Sequence, residues 1–135
     1  MTKAELRKAV YNKYNGHCAY CGKLIEYKDM QVDHLEPKAY TRAIGKDING
    51  NYIYPNKDRF ENLMPSCRRC NHYKRAYRLE AFREIVKTIH ERIQKIYIAK
   101  VAEDYGIVEY KQWDGWFYFE LIDGTYKNIT QRSRQ

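Results

Sequence analysis

Two cysteine pairs of identical spacing constrain the fold of this chain more than any other feature. The cysteines form two Cys-x-x-Cys motifs with 45 residues between them, at Cys18, Cys21, Cys67 and Cys70. Because four thiolates suit a tetrahedral zinc ion, the pattern predicts a structural zinc site that joins two distant parts of the chain. Disulfides are the less favoured alternative, since we expect an intracellular protein whose thiols stay reduced.

The hydrophobic runs are too short for a membrane protein. No run approaches the roughly 20 apolar residues that span a bilayer, and the N-terminal stretch MTKAELRKAV lacks the apolar segment of a signal peptide. We therefore expect a cytoplasmic protein with no membrane partner.

Positive charge is concentrated around the second cysteine pair. The formal net charge is +8, and between Glu61 and Glu80 the chain has no acidic residue but five basic ones, Arg68, Arg69, Lys74, Arg75 and Arg78. Such a run raises the local potential and favours polyanions such as nucleic acid. Charge alone leaves open a second interpretation, a solvated helix face.

Hydrophobic periodicity indicates an α+β chain. It predicts a short helix over residues 2–14 and a short strand over residues 30–35, which Pro37 ends. Apolar residues at three- and four-residue steps predict one long amphipathic helix over residues 79–106. In residues 107–135, two β-rich runs flank Asp114-Gly115, which predicts a packed β-hairpin followed by a basic tail.

Polar residues near the cysteine pairs match the needs of phosphodiester hydrolysis, which requires a base near neutral pKa and a divalent cation held by oxygen or nitrogen ligands. Asp33 and His34 are adjacent on the predicted strand, so their side chains point to opposite faces. Asn62 can orient the imidazole. Asn71 can supply an amide oxygen to the cation; His72 is the alternative ligand, because about 100° of helix separates the two.

Four segments together resemble a known family. CAYCG, VDHLEP, ENLMPSCRRCN and YK, within residues 15–76, are similar in order and spacing to the zinc-stapled HNH endonucleases common in phages and bacterial genomes. The resemblance implies a β-hairpin and helix around one catalytic divalent ion, with DNA as substrate. It implies a general base at His34, a positioning residue at Asn62, catalytic-metal ligands at Asp33 and Asn71, and structural zinc ligands at Cys18, Cys21, Cys67 and Cys70.

Asn71 stands at a position where the family has His or Asn. An amide oxygen suits Mg²⁺ or Mn²⁺ better than zinc, so we expect one of these as the catalytic ion. Phosphate contacts are expected from the basic helix, at Arg68, Arg69, Lys74 and Arg75.

The resulting expectation is an α+β protein with a ββα-metal (His-Me finger) core at residues 1–78, stapled by a four-cysteine zinc site. The function predicted is a metal-dependent DNA endonuclease of phage or mobile-element type, in a phage or its bacterial host, that nicks one strand per site. A dimer is possible and would be needed for a double-strand break. The alternative is a zinc-stabilised nucleic-acid-binding protein that does not cut.

Overall fold

A computed structural model describes residues 1–38 and 42–124 of the chain. The helices and strands in chain order are α1 (Lys3–Asn12), β1 (Gln31–His34), β2 (Gly45–Lys46), β3 (Tyr52–Ile53), β4 (Leu63–Ser66), α2 (Arg68–Lys74), α3 (Leu79–Lys87), α4 (Ile89–Gln94), α5 (Tyr97–Asp104) and α6 (Tyr118–Asp123). None of the helices in the described ranges is long and apolar enough to cross a membrane.

The predicted N-terminal helix is confirmed as α1. Its start is a capping box, in which the Glu5 N–H donates to Thr2 Oγ1 at 3.0 Å and the Thr2 N–H donates to Glu5 Oε1 at 3.1 Å. The chain leaves the helix through Asn15 and Gly16, which both have positive φ. This left-handed turn leads directly into the first cysteine pair.

The predicted strand over 30–35 is confirmed as β1, and β1 pairs antiparallel with β4 in the register Asp33↔Met64 and His34↔Leu63. Helix α2 follows β4 after one residue, Cys67, whose sulfur accepts the N–H of Cys70 at 3.3 Å and so caps the helix. A small sheet with a helix directly behind it is the predicted ββα arrangement, and the α+β class is confirmed. Strands β2 and β3 form a separate two-stranded ribbon within the connection between β1 and β4.

The prediction of one long helix over residues 79–106 is wrong, because the segment forms α3, α4 and α5. At Thr88 the hydroxyl donates to the Ile85 carbonyl at 2.7 Å, and this local bond competes with the helical ladder. At Ile96 the backbone becomes extended, with ψ of 125°. The apolar periodicity therefore continues through two breaks in the helix axis.

The predicted C-terminal hairpin is also wrong. Residues 107–117 form no strand, and helix α6 follows them. The Asp114-Gly115 pair does form a turn, in which Asp114 Oδ1 accepts the Trp116 N–H at 2.9 Å, but the chain after the turn pairs with the first cysteine segment. The Phe119 N–H donates to the Ala19 carbonyl at 2.8 Å. The predicted basic tail lies outside the described residues.

Aromatic packing explains why the C-terminal segment returns to the N-terminal half. Tyr20 is buried at the centre of the core, and its ring meets Phe82, Phe117 and Phe119 edge-on at centroid distances of 5.7, 5.6 and 6.1 Å. Phe82 comes from α3, whereas Phe117 and Phe119 come from the C-terminal segment at the start of α6. Burial of three phenylalanines against one tyrosine outweighs the local preference of an Asp-Gly dipeptide for a hairpin.

A buried ion pair fastens α6 to α3. The guanidinium of Arg83 makes a two-point contact with Glu120, with Nη2–Oε2 at 2.6 Å and Nη1–Oε1 at 2.8 Å, and both residues are less than 8% exposed. Glu120 Oε1 also accepts the Phe117 N–H at 2.9 Å. The Glu120 carboxylate therefore neutralises the buried Arg83 guanidinium and also accepts a backbone N–H at the start of α6.

We expect Glu120→Ala to lower the free energy of unfolding by roughly 3 kcal/mol, because it leaves the buried Arg83 charge only partly compensated. Urea unfolding followed by circular dichroism measures the change. The matched control is Glu84→Ala, which removes a 70% exposed partner of Lys87 and should cost less than about 0.5 kcal/mol. Equal effects of the two substitutions would contradict this assignment.

Candidate active site and metal centre

The four cysteines of the two pairs meet in space, as the spacing predicted. The sulfur atoms of Cys18, Cys21, Cys67 and Cys70 all lie within 4.8 Å of one another. The Cys21–Cys67 sulfur distance is 3.9 Å, close to the edge of about 3.8 Å that a tetrahedron with metal–sulfur bonds of about 2.3 Å requires. Hydrogen bonds from the Cys21 and Cys70 thiols lower the pKa of Cys18, which favours its thiolate. The donor set and its spacing are compatible with a closed zinc site.

The backbone fixes the first cysteine pair against the hairpin. The Gly22 N–H donates to the Cys18 carbonyl at 3.0 Å, and Gly22 has φ of +83°. A Cβ at Gly22 would lie 2.8 Å from the Tyr118 ring, so a side chain would be both strained and crowded there. Next to it, the Ala19 N–H donates to the Pro65 carbonyl at 2.8 Å. The first cysteine pair and strand β4 are therefore joined directly through backbone hydrogen bonding.

Asp33, a predicted catalytic-metal ligand, is held from inside the core. It is 6% exposed, and its Oδ2 accepts the hydroxyl of Tyr20 and lies 3.1 Å from Lys74 Nζ. Lys74 is completely buried and also donates to the His34 carbonyl at 3.1 Å. The sequence assigned Lys74 to DNA binding, but a buried ammonium cannot reach a phosphate. Its position instead makes it the counter-ion of Asp33.

Burial, followed by the Asp33 carboxylate, raises the pKa of Tyr20 well above its ordinary value. Tyr20 therefore stays protonated at neutral pH and acts as a donor to Asp33. Because Tyr20 lies between Cys18 and Cys21, this one residue connects the four-cysteine cluster to the Asp33 carboxylate.

Three of the predicted site residues line one surface cleft. Asp33, His34 and Asn71 border a cleft of about 280 Å³ at the end of the β1–β4 hairpin, together with Arg75 and Lys38. His72 does not border this cleft and instead lines grooves on another side of α2. The structure therefore places Asn71, and not the alternative ligand His72, at this cleft, as the roughly 100° step along the helix explains.

Asn62 acts on the chain that follows His34 and not on the imidazole itself. It is 2% exposed, and its Nδ2 donates to the Glu36 and Lys57 carbonyls at 3.0 and 2.8 Å, while its Oδ1 accepts the Glu36 N–H at 2.7 Å. The Asn62 carbonyl accepts the N–H of Leu35 at 2.9 Å. These bonds fix the loop that leaves β1, and so fix the backbone on which His34 stands.

The sequence analysis missed the direct partner of the imidazole. His34 Nε2 lies 2.8 Å from Asp58 Oδ1, and hydrogen bonds from His34 and then Lys38 lower the pKa of Asp58. An ionised carboxylate only accepts, so Nε2 carries the proton and Nδ1 is the basic nitrogen of the neutral ring. Asp58 lies in a turn in which Asn56 Oδ1 accepts the Asp58 N–H. The spacing of residues along the chain does not indicate that this turn lies beside β1.

The basic residues of α2 divide by exposure. Arg68, Arg69 and Arg75 are exposed, whereas Lys74 is buried. Arg75 borders the cleft of His34, whereas Arg68 and Arg69 line the groove that also contains His72, on another side of α2. The exposed cations therefore lie on more than one side of the helix.

We expect Tyr20→Phe to lower the free energy of unfolding by about 2 kcal/mol, because the variant keeps the ring but loses a buried hydrogen bond to a carboxylate. Above pH 10 the unfolded chain ionises at this tyrosine and the folded chain does not, so the advantage of the wild type should shrink as the pH rises. Denaturant unfolding at neutral pH and above pH 10 measures both effects.

Tyr52→Phe is the matched control, since Tyr52 is 61% exposed, and it should change stability by less than about 0.5 kcal/mol. If Tyr20→Phe were as stable as the wild type at neutral pH, the hydroxyl would have no role in holding Asp33.

Comparison with known proteins agrees with this geometry. The family model for the HNH endonuclease matches residues 18–76, which include both cysteine pairs, the hairpin and α2. Among solved structures, the chain is similar to the Type II-C Cas9 enzyme from Actinomyces naeslundii, with 25% identity and a TM-score of 0.44. The match covers 58% of this chain and 7% of that chain. None of the curated proteins compared matches this chain. Residues 18–76 of this chain, which contain both cysteine pairs, β1, β4 and α2, are therefore similar to the HNH endonuclease family.

Proposed function

We propose that this protein is a metal-dependent DNA endonuclease of phage or mobile-element type that nicks one strand at each site. The observation that carries the proposal is the single cleft shared by His34, Asp33 and Asn71. One cleft with one base serves one phosphodiester bond at a time, so an isolated chain would leave the second strand intact.

His34 is the proposed general base. Its Nε2–H is held by Asp58 at 2.8 Å, which leaves Nδ1 to take the proton of the attacking water. The imidazolium formed in that step would be stabilised by the same carboxylate, since the opposite charges lie in direct contact. Asp58 therefore serves to orient the ring before the reaction and to balance its charge afterwards.

Asp33 and Asn71 are the proposed ligands of the catalytic ion. Lys74 and Tyr20 occupy Oδ2 of Asp33, so Oδ1 is the oxygen proposed for the ion. One carboxylate oxygen and one amide oxygen form the hard, incomplete ligand set that suits Mg²⁺ or Mn²⁺, which keep several waters. When bound, such an ion supplies charge stabilisation to the scissile phosphate and the leaving oxygen.

The four-cysteine cluster is proposed to hold zinc in a structural role. Four sulfur ligands close the first shell, so no position is left for water or substrate. Since the cluster joins the first cysteine pair to the start of α2, loss of the ion would separate the two halves of the active site.

Exposed arginines are proposed to hold the DNA backbone. Arg75 borders the cleft at the end of α2, and Arg68 and Arg69 are exposed at the start of the same helix. Guanidinium groups bind phosphate oxygens in pairs, so these three side chains suit the strand on either side of the scissile bond.

We expect His34→Ala to abolish the conversion of supercoiled plasmid to open circles in Mg²⁺ or Mn²⁺, because the variant lacks the base that activates water. Loss of one catalytic base costs roughly 100- to 10,000-fold in rate. Zinc content and circular dichroism establish that the variant is folded. The matched control is His90→Ala on α4, which should nick like the wild type.

A wild type that binds DNA but nicks no plasmid in either ion would overturn the proposal and favour the non-cutting binder. Equal nicking by the wild type and His34→Ala would instead place the base elsewhere.

We expect Asp58→Ala to slow nicking by roughly 10- to 100-fold, because the imidazole would lose its fixed orientation. Asp58→Asn should recover part of this rate, since its amide oxygen can still accept the Nε2–H. Single-turnover nicking at saturating DNA measures the change. The control is Asp104→Ala, which removes an exposed carboxylate from α5. A rate for Asp58→Ala equal to that of the wild type would remove Asp58 from the site.

A further inference from the structure

Helix α5 presents its apolar face to solvent. Tyr97, Val101 and Tyr105 follow one another at four-residue spacing, with Ile98 beside them, so they form one stripe on the helix. Tyr97, Ile98 and Tyr105 are 80, 69 and 79% exposed. An amphipathic helix on the surface of a globular protein normally turns this stripe towards the core. In α5 the stripe lacks cover from the described residues.

The apolar surface continues past both ends of the helix. A Schellman turn ends α5, with the Ile107 N–H donating to the Ala102 carbonyl at 2.9 Å and the Gly106 N–H donating to the Glu103 carbonyl at 3.0 Å. The residue at the position of Ile107 in such a turn normally packs back onto the helix, yet Ile107 is 76% exposed. Ile96 before the helix is 52% exposed. We name the whole surface the α5 face; it comprises Ile96, Tyr97, Ile98, Val101, Tyr105, Ile107 and Val108.

We infer that the α5 face binds the same face of a second copy of this chain, with the two α5 helices antiparallel about a twofold axis near Val101. A twofold contact is self-complementary, so each residue must find its partner at the mirrored position along the helix. An axis near Val101 places Tyr97 of one copy opposite Tyr105 of the other. The stripe then packs against itself along its whole length.

Charge supports the second copy as the occupant. Lys100 and Asp104 are exposed on the same edge of the stripe, four residues apart. In the antiparallel pair, Lys100 of each copy lies near Asp104 of the other, which gives two equivalent ion pairs at the rim. A parallel pair about a twofold axis along the helices would place the Lys100 and Asp104 edges of the two copies on opposite sides of the contact, so neither ion pair would form.

The apolar area of the α5 face is also close to what a dimer interface requires. Seven apolar side chains of this size and exposure offer roughly 500–700 Å² per copy, and a standard interface buries about 800 Å² per partner. The largest apolar patch on an ordinary monomer is about 300–600 Å². The α5 face with its charged rim therefore supplies most of a dimer interface, and the pair would carry two catalytic clefts. This inference does not depend on the identity of the catalytic residues.

Sedimentation velocity of the full chain with its bound metal tests the proposal. The wild type should associate reversibly with increasing concentration, towards twice its mass of 16.3 kDa. Tyr97→Asp places two carboxylates in the paired surface and should weaken association by at least roughly 100-fold. Ile48→Asp is the matched control, because Ile48 is 99% exposed and lies outside the α5 face.

Zinc content and circular dichroism of each variant establish that association, and not folding, has changed. A wild type that stays monomeric at every concentration overturns the proposal, whatever other partner the face then binds. A Tyr97→Asp variant that still dimerises would show that the contact lies on another surface. Equal loss of association in Ile48→Asp would mean nonspecific clustering of exposed apolar residues.

Discussion

The hydrogen bond between the Tyr20 hydroxyl and the Asp33 carboxylate connects every functional part of this molecule. Tyr20 lies between two cysteines of the four-cysteine cluster, its ring is at the centre of the aromatic core, and its hydroxyl donates to a proposed catalytic-metal ligand. Lys74, the last residue of α2, approaches the same carboxylate oxygen. A side chain with two such partners has little rotational freedom, so Asp33 is oriented before any ion or substrate arrives. Orientation of this kind is what catalysis gains from a rigid supporting structure.

Lys74 also imposes a cost on the site, because a buried ammonium beside Asp33 repels the cation that Asp33 is proposed to bind. Without Lys74, however, Asp33 would be a largely buried carboxylate whose charge only a tyrosine hydroxyl stabilises, and an uncompensated buried charge is costly. The ammonium therefore compensates the buried charge of Asp33 at the expense of some affinity for the ion. The proposed use of Mg²⁺ or Mn²⁺, which bind with most of their waters retained, is consistent with a site of modest affinity.

Local signals in the sequence were sufficient for the cysteine cluster, the hairpin and the helix start, because each depends on residues at fixed spacing. The position of Asp33 and His34 on β1 followed from the strand pattern, and in the structure both border one cleft. The contact between His34 and Asp58 could not be predicted in this way, since it depends on how the long connection between β1 and β4 folds. The burial of Lys74 was equally hidden: a lysine in a basic run resembles its exposed neighbours until the tertiary structure places a carboxylate above it. The prediction of a C-terminal hairpin was wrong because it relied on a strong local turn signal. In the structure, aromatic burial against Tyr20 outweighs that signal.

The breaks that divide α3, α4 and α5 have a structural consequence beyond the correction of a predicted helix. A straight helix over residues 79–106 would keep its apolar stripe on one line, so α5 would extend the surface that α3 buries against Tyr20. The extended backbone at Ile96 rotates α5 away from that line and turns Tyr97 and Tyr105 outwards. An apolar face that is carried away from the core of its own chain by a defined break is available to another molecule, whereas a frayed helix end would not be ordered enough to pair. The same change of direction that removed the long helix thus produces the α5 face, and it keeps that face on an element separate from the hairpin and α2 that form the cleft of His34.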